Sequence, residues 1–240
     1  MPTAYDLLVI GDANPDVVLG PLAEPLAFGR REQLTDSGSL TATSGRDVPG
    51  ELFAASRHVH AASYFPQPKL AEDLPEPLRA ARAHGATTSL DTQDDPSGRW
   101  DGAALDAVLA ETDILLPNAQ EAMRLAGPTA DTPRQAAAVL AGRVPLVAVK
   151  NGSDDALCHD GRTLMSAPGI PVTPTDTVGA GDSFDAGFIA ATLQHQPPHQ
   201  ALRFAAVCGA LSTRAHGGTA AQPTWDEALN HLSPIGALTS

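Results

Sequence analysis

Residues 58–91 read HVHAASYFPQPKLAEDLPEPLRAARAHGATTSLD. The short segments at its two ends predict strands at 58–62 and 87–91, and the longer middle predicts a helix over 68–84. A strand, a helix and a second strand in this order are typical of two parallel strands joined by a crossover helix. The stretch therefore predicts a parallel sheet with helices packed on it.

The same alternation continues on both sides of this stretch. A short apolar run at 7–10, ended by a glycine, predicts a buried strand. The other predicted elements are strands at 113–116 and 146–150, a hairpin at 156–158 and 163–165, and helices near 50–56, 102–111, 119–126, 132–142, 180–194, 198–215 and from Thr224 onward. This order predicts a three-layer α/β/α fold with a mostly parallel central sheet, forming one domain over 1–240.

Composition and charge argue against several classes of function. The 15 Lys and Arg residues against 28 Asp and Glu residues give a formal net charge of -13, which disfavours binding to nucleic acid or to an anionic membrane. No apolar stretch approaches the roughly 20 residues that cross a bilayer, so we expect a soluble, cytoplasmic protein. Cys158 and Cys208 lack the spacing of a zinc site and are expected to be reduced and buried.

Residues 175–184, TDTVGAGDSF, carry the clearest chemical signal. Small residues that open a predicted helix place backbone N–H groups where an anion could bind. Gly179 and Gly181 let the main chain approach a phosphate, and Asp182 in the first helical turn can accept a proton. The alternative is an ordinary helix start, in which Asp182 only stabilises the helix dipole.

The whole decapeptide resembles the signature of the ribokinase-like, phosphofructokinase-B-type carbohydrate kinases. The resemblance implies that Gly179, Ala180 and Gly181 form an anion hole for the transferred phosphoryl group, and that Asp182 deprotonates the accepting hydroxyl. It also implies ATP and Mg²⁺ as cofactors, with Thr177 at the nucleotide. The implied substrate is a small molecule: a sugar, a nucleoside or a related polyol.

Two further segments resemble nucleotide-binding elements of the same family. Asn118 and Glu121 match its Asn-x-x-Glu element, which helps to organise magnesium and nucleotide phosphates, and Glu121 is the expected metal ligand. The alternative is an N-cap asparagine with Glu121 as its capping partner. Lys150 and Gly152 match the strand and glycine loop that lead to the nucleotide, although Asp155 stands where relatives often carry another glycine. Lys150 could equally be a solvated residue that ends a strand.

The resemblance places substrate-binding residues near the start of the chain. Asn14 and Asp16 match residues that contact sugar hydroxyls, and an Asx-type turn after the first strand is an equal alternative. Asp91 matches an aspartate near the phosphate-transfer region of relatives, with a turn residue as the alternative. We expect His58 and His60 to face opposite sides of their strand, and we assign neither a role.

One part of the family pattern is missing from the sequence. Relatives carry a Gly-Gly-x-x-x-Asn element and lid strands after the first strand, and residues 29–33 bridge this region instead. The pattern predicts an internal deletion near 30–34, with the lid strands absent or residual. Because a lid excludes water and completes the substrate site, its loss should weaken phosphoryl transfer.

The sequence therefore leaves alternative functions open. The first is an ATP-dependent, Mg²⁺-requiring carbohydrate kinase, and the second is a catalytically impaired, nucleotide-binding relic of such a kinase. A Rossmann-type dehydrogenase is disfavoured because no Gly-x-Gly-x-x-Gly follows the first strand. The identity of the sugar or nucleoside, the use of a monovalent cation and the formation of a homodimer at an unpaired sheet edge are also open.

Overall fold

A computed structural model gives the fold of the chain. The residues that it describes are 3–11, 44–95, 97–100 and 102–232. The expected substrate residues Asn14 and Asp16, and the expected deletion near 30–34, lie outside the described residues.

Within the described residues, seven strands form a single sheet in which the strands follow each other in chain order. The strands are β1 (Tyr5–Ile10), β2 (Ser56–Ala61), β3 (Thr87–Leu90), β4 (Ile114–Leu115), β5 (Leu146–Val149), β6 (Ala156–His159) and β7 (Leu164–Ala167). Strands β1 to β5 pair in parallel, whereas β5 with β6 and β6 with β7 pair antiparallel. The predicted α/β class with a mostly parallel sheet is confirmed.

Helices accompany the strands throughout the described part of the chain. They are α1 (Gly50–Ala55), α2 (Pro68–Asp73), α3 (Pro75–Ala83), α4 (Ala103–Leu109), α5 (Ala119–Ala126), α6 (Pro133–Leu140), α7 (Ala180–Leu193), α8 (Pro198–Ser212) and α9 (Trp225–Leu232). Among these helices, none combines the length and the apolar character that crossing a membrane would require.

Alternate residues of the strands face two separate hydrophobic cores. Val59, Leu115 and Val147 lie in one core, together with side chains from α1 to α6. Ile114 and Ala148 lie in the other core, together with side chains from α7, α8 and α9. Successive side chains of a strand point to opposite faces, so helices cover both sides of the sheet. The three-layer arrangement that the sequence predicts is therefore present.

The carboxyl ends of the parallel strands meet at one edge of the sheet. Asp91 follows β3, and Lys150 follows β5. The segments after β4 and β5 are joined because Lys150 N donates to the Pro117 carbonyl at 2.9 Å and Ala119 N donates to the Lys150 carbonyl at 2.8 Å. Open α/β sheets bind their ligands outside this edge, so polar residues that follow these strands are candidates for a site.

The helix predicted over 68–84 is two helices, α2 and α3, so that prediction was wrong. Pro75 and Pro77 have no backbone N–H and cannot donate to the carbonyls four residues earlier. Leu74 N still donates to the Leu70 carbonyl at 2.8 Å, so one helix follows the other without a loop.

Strand β1 is not the buried strand that its apolar sequence predicts. Among the described residues, it is an edge strand of the sheet and pairs with β2 alone. Tyr5, Leu7 and Val9, which share one face of the strand, are 52%, 38% and 57% exposed. The prediction of burial was wrong because an apolar run alone does not distinguish a central strand from an edge strand.

His58 and His60 on β2 face the same side of the sheet, so the expectation of opposite sides was wrong. Residues two apart on a strand share a face. His58 Nε2 and His60 Nδ1 each lie 2.7 Å from Ser89 Oγ. Burial lowers the pKa of His58 to about 3 and the pKa of His60 to about 4, so both rings are neutral at pH 7.

Helices α7 and α8 pack closely at a glycine. A Cβ on Gly187 would lie 2.9 Å from Cys208 Sγ and 3.1 Å from Ala205 Cα. Because Ala205 Cα belongs to the backbone, a side chain at position 187 would force the two helices apart. The absence of a side chain at position 187 therefore sets the distance between α7 and α8.

We expect Gly187→Ala to lower the free energy of unfolding by about 1–2 kcal/mol, because overpacking outweighs the higher helix propensity of alanine. Urea unfolding followed by circular dichroism measures the change. Gly50→Ala in α1 is the matched control, since nothing lies within 4 Å of a Cβ at that position. Equal stabilities of the two variants would contradict the expectation.

Candidate functional site

The start of α7 requires a glycine. Gly179 has a φ of 73°, in the left-handed region that favours glycine. A Cβ at this position would lie 2.7 Å from Gly218 Cα and 2.8 Å from the Gly218 carbonyl oxygen. The loop before α7 therefore lies in backbone contact with the segment that follows α8.

Hydrogen bonds hold this loop in place before the helix begins. Thr175 N and Asp176 N donate to the Thr213 carbonyl at 2.8 and 3.1 Å. The Asp176 carboxylate accepts from Gly217 N at 3.0 Å and from Val178 N at 3.1 Å. These two N–H groups lower the pKa of Asp176, which is therefore ionised at neutral pH.

The first turn of α7 differs from the first turns of α5 and α6. In those helices the side chains of Asn118 and Thr132 accept hydrogen bonds from first-turn N–H groups. The N-cap of α7 is Gly179, which has no side chain that could cap the helix. This end of α7 therefore keeps the partial positive charge that attracts an anion.

The residues expected to form the anion hole and the base lie together at this helix end. Gly179, Ala180 and Gly181 form its start, and Asp182 is an exposed residue of the first turn. Thr177 is exposed in the preceding loop, where its carbonyl accepts from Ala180 N at 3.2 Å. The fold thus places all five residues within one turn and its lead-in, with Asp182 accessible to solvent.

Three buried charged residues, Lys150, Asp91 and Asp185, lie against this end of α7, and we name them the Lys150 cluster. Lys150 Nζ donates to Asp91 Oδ2 at 3.0 Å and to Asp185 Oδ2 at 2.9 Å. The side chain of Lys150 is 11% exposed, and those of its partners are 7% and 3% exposed. A Cβ on Gly181 would lie 3.8 Å from Lys150 Nζ, so the ammonium group approaches the first turn of the helix.

The two carboxyl groups of the Lys150 cluster differ in pKa. Burial raises the pKa of Asp185 well above its usual value, and the attraction of Lys150 offsets this only in part. Burial also disfavours ionised Asp91, but Lys150 and the Gln93 N–H together hold the pKa of Asp91 below its usual value. Burial opposes the charge of Lys150, yet the carboxyl groups of Asp185 and Asp91 raise the pKa of Lys150. The cluster therefore combines an ammonium group with two carboxyl groups, of which Asp91 is the more acidic.

The sequence predicted this cluster only in part. Asp91 is a turn residue, because its Oδ1 accepts from Gln93 N at 3.1 Å, and it also lies at the end of α7. Lys150 is not the solvated strand end that we considered, since its side chain is nearly buried. Asp185 was missed, although it is the only charged residue in the apolar stretch 183–191 and lies one helical turn after Asp182.

Asn118 and Glu121 form a capping box at the start of α5. Asn118 Oδ1 accepts from Glu121 N at 3.0 Å, and Glu121 Oε2 accepts from Asn118 N at 2.9 Å. The structural alternative for this element is therefore confirmed. The capping box is compatible with a further role for Glu121. Burial, and after it the repulsion of Asp91, raises the pKa of Glu121 to about 7.

The carboxylates at this edge suit a divalent cation that arrives with a nucleotide. Asp91 and Asp94 both disfavour ionised Glu121, and a bound cation would relieve that repulsion. Within the described residues, no group of three or more His, Cys, Asp or Glu side chains could hold a metal ion alone. Magnesium is usually bound by one or two carboxylates together with phosphate oxygens and water. Glu121 fits such a partial site.

Gly152 lies in the loop after β5, where its φ is 60°. Asn151 and residues 153–155 of this loop line a cleft of about 570 Å³, together with the start of α6. The cleft offers space for a ligand next to the strand that leads to Lys150. Asp155, which stands where relatives often carry glycine, forms part of its wall.

Comparisons with known proteins identify the family of the chain. Residues 29–225 match the model of the pfkB family carbohydrate kinases. The chain is 33% identical over 231 residues to the ATP-dependent ribose-1-phosphate kinase of Halopiger xanaduensis, which covers 96% of this chain and 68% of that protein.

Solved structures share the fold. A putative ribokinase II from E. coli, in complex with ATP and Mg²⁺, has a TM-score of 0.69 and 25% identity, covering 79% of this chain and 62% of that one. Arabidopsis thaliana ribokinase, complexed with ribose and ATP, has a TM-score of 0.66 and 27% identity, covering 79% of this chain and 59% of that one. This chain thus spans less than two thirds of either solved structure.

The match to the family model extends from before β2 to the start of α9 and includes Asn118, Lys150 and Asp182. It covers far more than half of the chain, and the similarity to the Halopiger protein extends over nearly all of it. The chain therefore belongs to the pfkB family of carbohydrate kinases.

Proposed function

We propose that the chain transfers the γ-phosphoryl group of ATP to a hydroxyl of a sugar, a nucleoside or a related polyol. The observation that carries this proposal is the approach of Lys150 Nζ to the first turn of α7, where a Cβ on Gly181 would lie 3.8 Å away. This approach supports the proposal because it brings the start of α7, which includes the exposed Asp182, close to a residue that follows β5 at the carboxyl edge of the sheet. Phosphoryl transfer depends mainly on positioning and on charge stabilisation, which such a site provides.

Each residue of the site then has a defined task. The backbone amides from Gly179 to Gly181 bind the oxygens of the transferred group and stabilise the charge on them. Asp182 accepts the proton of the acceptor hydroxyl. The hydroxyl oxygen bonds to phosphorus, and ADP leaves with the electron pair of the broken bond. Glu121, beside Asn118, would hold Mg²⁺, which neutralises phosphate charge when it is bound.

Relatives support ATP, Mg²⁺ and a pentose as the first ligands to examine. The E. coli structure contains ATP and Mg²⁺, and the Arabidopsis structure contains ribose and ATP. The Halopiger relative is named for ribose 1-phosphate. We therefore include ribose and ribose 1-phosphate in the acceptor panel, and we propose Asn14 and Asp16 as residues that contact the acceptor.

A second candidate is a nucleotide-binding protein that has lost phosphoryl transfer. It is favoured by the sequence after the first strand, where residues 29–33 stand in place of the Gly-Gly-x-x-x-Asn element and lid strands that the family resemblance leads us to expect. In this candidate the end of α7 and Glu121 bind Mg-ATP, but no acceptor hydroxyl is held against Asp182. Binding of ATP without acceptor-dependent release of ADP would support it.

We expect Asp182→Asn to lower the acceptor-dependent kcat by about 100- to 10,000-fold, the usual contribution of a positioned base. Asparagine has nearly the same size but cannot accept the proton, so the KM for ATP should change little. The assay measures ADP release from Mg-ATP with a panel of sugars, sugar phosphates and nucleosides.

Asp226→Asn is the matched control for this prediction, because Asp226 is also an exposed aspartate in the first turn of a helix, α9. It removes the same interaction with a helix dipole and should leave kcat unchanged. Full activity of Asp182→Asn, or an equal loss in both variants, would refute the role of Asp182 as the base. If the wild-type protein shows no acceptor-dependent release, the second candidate is the better account.

Glu121 generates a prediction about pH. Its pKa is about 7 in the folded protein, against an ordinary value of 4.5, so the folded state binds this proton more tightly than the unfolded state. The stability from this group is fully present below pH 4.5 and is lost as the pH rises through 7. Relative to Glu121→Gln, we expect the free energy of unfolding of the wild-type protein to fall by up to about 3 kcal/mol over this range.

Urea unfolding at about pH 5 and about pH 8 measures this difference. Glu76→Gln is the control, since Glu76 is an exposed glutamate in the first turn of α3 and should leave the wild-type pH dependence unchanged. Parallel pH profiles for the wild-type protein and Glu121→Gln would show that the raised pKa of Glu121 is wrong.

A further inference from the structure

We propose that the Lys150 cluster consists of positioning residues, which fix the rotation of α7 about its axis and thereby aim Asp182 and the first-turn amides at the phosphate group. This inference rests on the proposed function, because it assigns a task to residues that support the base rather than touch the substrate.

The cluster joins three elements that are far apart in the sequence. Asp91 follows β3, Lys150 follows β5, and Asp185 lies in the second turn of α7. The hydrogen bonds of Lys150 Nζ are 3.0 Å to Asp91 and 2.9 Å to Asp185, between side chains that are largely removed from water. Solvent therefore competes little with these two bonds, and α7 is tied directly to the carboxyl edge of the sheet.

The hydrogen bond that α7 makes to Lys150 is more sensitive to its rotation than its apolar contacts are. Phe184 and Phe188 lie in the core between α7 and the sheet, but hydrophobic attraction has no preferred direction. A hydrogen bond weakens steeply when its angle changes. Asp182 and Asp185 are three residues apart, and so they point only about 60° apart around the helix axis. A rotation that broke the bond to Lys150 would therefore also turn Asp182 away.

The two aspartates of the cluster contribute in different ways. Asp185 Oδ1 is buried and has no hydrogen-bond partner in the described part of the chain. Burial without a partner at Oδ1 disfavours the ionised form of Asp185, which raises its pKa above the usual value. Asp91 supplies the negative charge that balances the ammonium group. This difference predicts which substitutions the site tolerates.

Three variants separate positioning from the burial of charge. Asp185→Asn keeps the shape and the acceptor oxygen and serves as the matched control. Asp185→Leu has a similar size but cannot hold Lys150. The double variant Lys150→Met with Asp91→Asn removes the ammonium and its counter-charge together, so that no unpaired ion is left in the interior.

We expect Asp185→Leu and the double variant to lower kcat by about 10- to 100-fold, as a small misplacement of reacting groups does. The KM for Mg-ATP should change by less than about 3-fold in Asp185→Leu, which keeps the ammonium group of Lys150, and Asp185→Asn should stay within about 3-fold of the wild-type kcat. A purely stabilising role would instead lower the melting temperature and leave the kcat of the folded molecules unchanged. Wild-type kcat in Asp185→Leu would therefore overturn the inference.

Hydrogen exchange of the peptide 180–188, measured by mass spectrometry, tests the inference without any turnover. We expect this peptide to exchange about 10-fold faster in Asp185→Leu than in Asp185→Asn, because α7 is no longer tied to the sheet. Equal exchange in the two variants would overturn the inference. If exchange differs as expected but the wild-type protein transfers no phosphoryl group, the positioning role stands and the proposed function fails.

Discussion

Lys150 shares its ammonium group between Asp91 and Asp185, and the arrangement of the ligand-binding edge depends on this interaction. A buried cation is unfavourable unless its charge and its hydrogen bonds are both satisfied. The partners come from the end of β3 and from α7, so neither element can move without breaking a hydrogen bond to Lys150. An apolar core of the same volume could be as stable or more stable. The cluster is therefore better explained by the geometry that it imposes than by the stability that it adds.

Close backbone contacts complete the constraint on α7. Gly179 leaves no room for a side chain against Gly218, and Gly187 leaves none against Cys208. These contacts set how near α7 lies to its neighbours, whereas hydrogen bonds to Lys150 set its rotation. Non-directional packing and directional bonds thus constrain different degrees of freedom of the same helix, and both are needed to hold a short exposed side chain such as Asp182 in one orientation.

Much of the fold could be predicted because local patterns determine it. The alternation of strands and helices gave the class, and the turn between β6 and β7 was predictable because Asp160 accepts from Thr163 N while Gly161 adopts a φ of 82°. The break at Pro75 is also a local signal, because proline has no backbone N–H to continue a helix. The exposure of β1 depends on what lies beside the strand, which a local pattern does not contain. The role of Asp185 depends on its hydrogen bond to Lys150, which lies 35 residues away in the sequence. Only the fold could therefore place Asp185 in the site.

Different elements bring positive and negative charge to the ligand-binding edge. The end of α7 brings partial positive charge from oriented amides, and Lys150 adds a full charge close to its first turn. At the start of α5, which follows β4, Glu121 lies near Asp91 and Asp94. Burial and the repulsion of these carboxylates leave Glu121 half protonated near pH 7. A phosphate chain would bind at the positive end of α7, whereas a divalent cation would relieve the repulsion among the carboxyl groups around Glu121. A ligand that carries both a phosphate and a cation therefore matches this edge better than either would alone, which is the reason that a magnesium–nucleotide complex is the ligand that we propose for it.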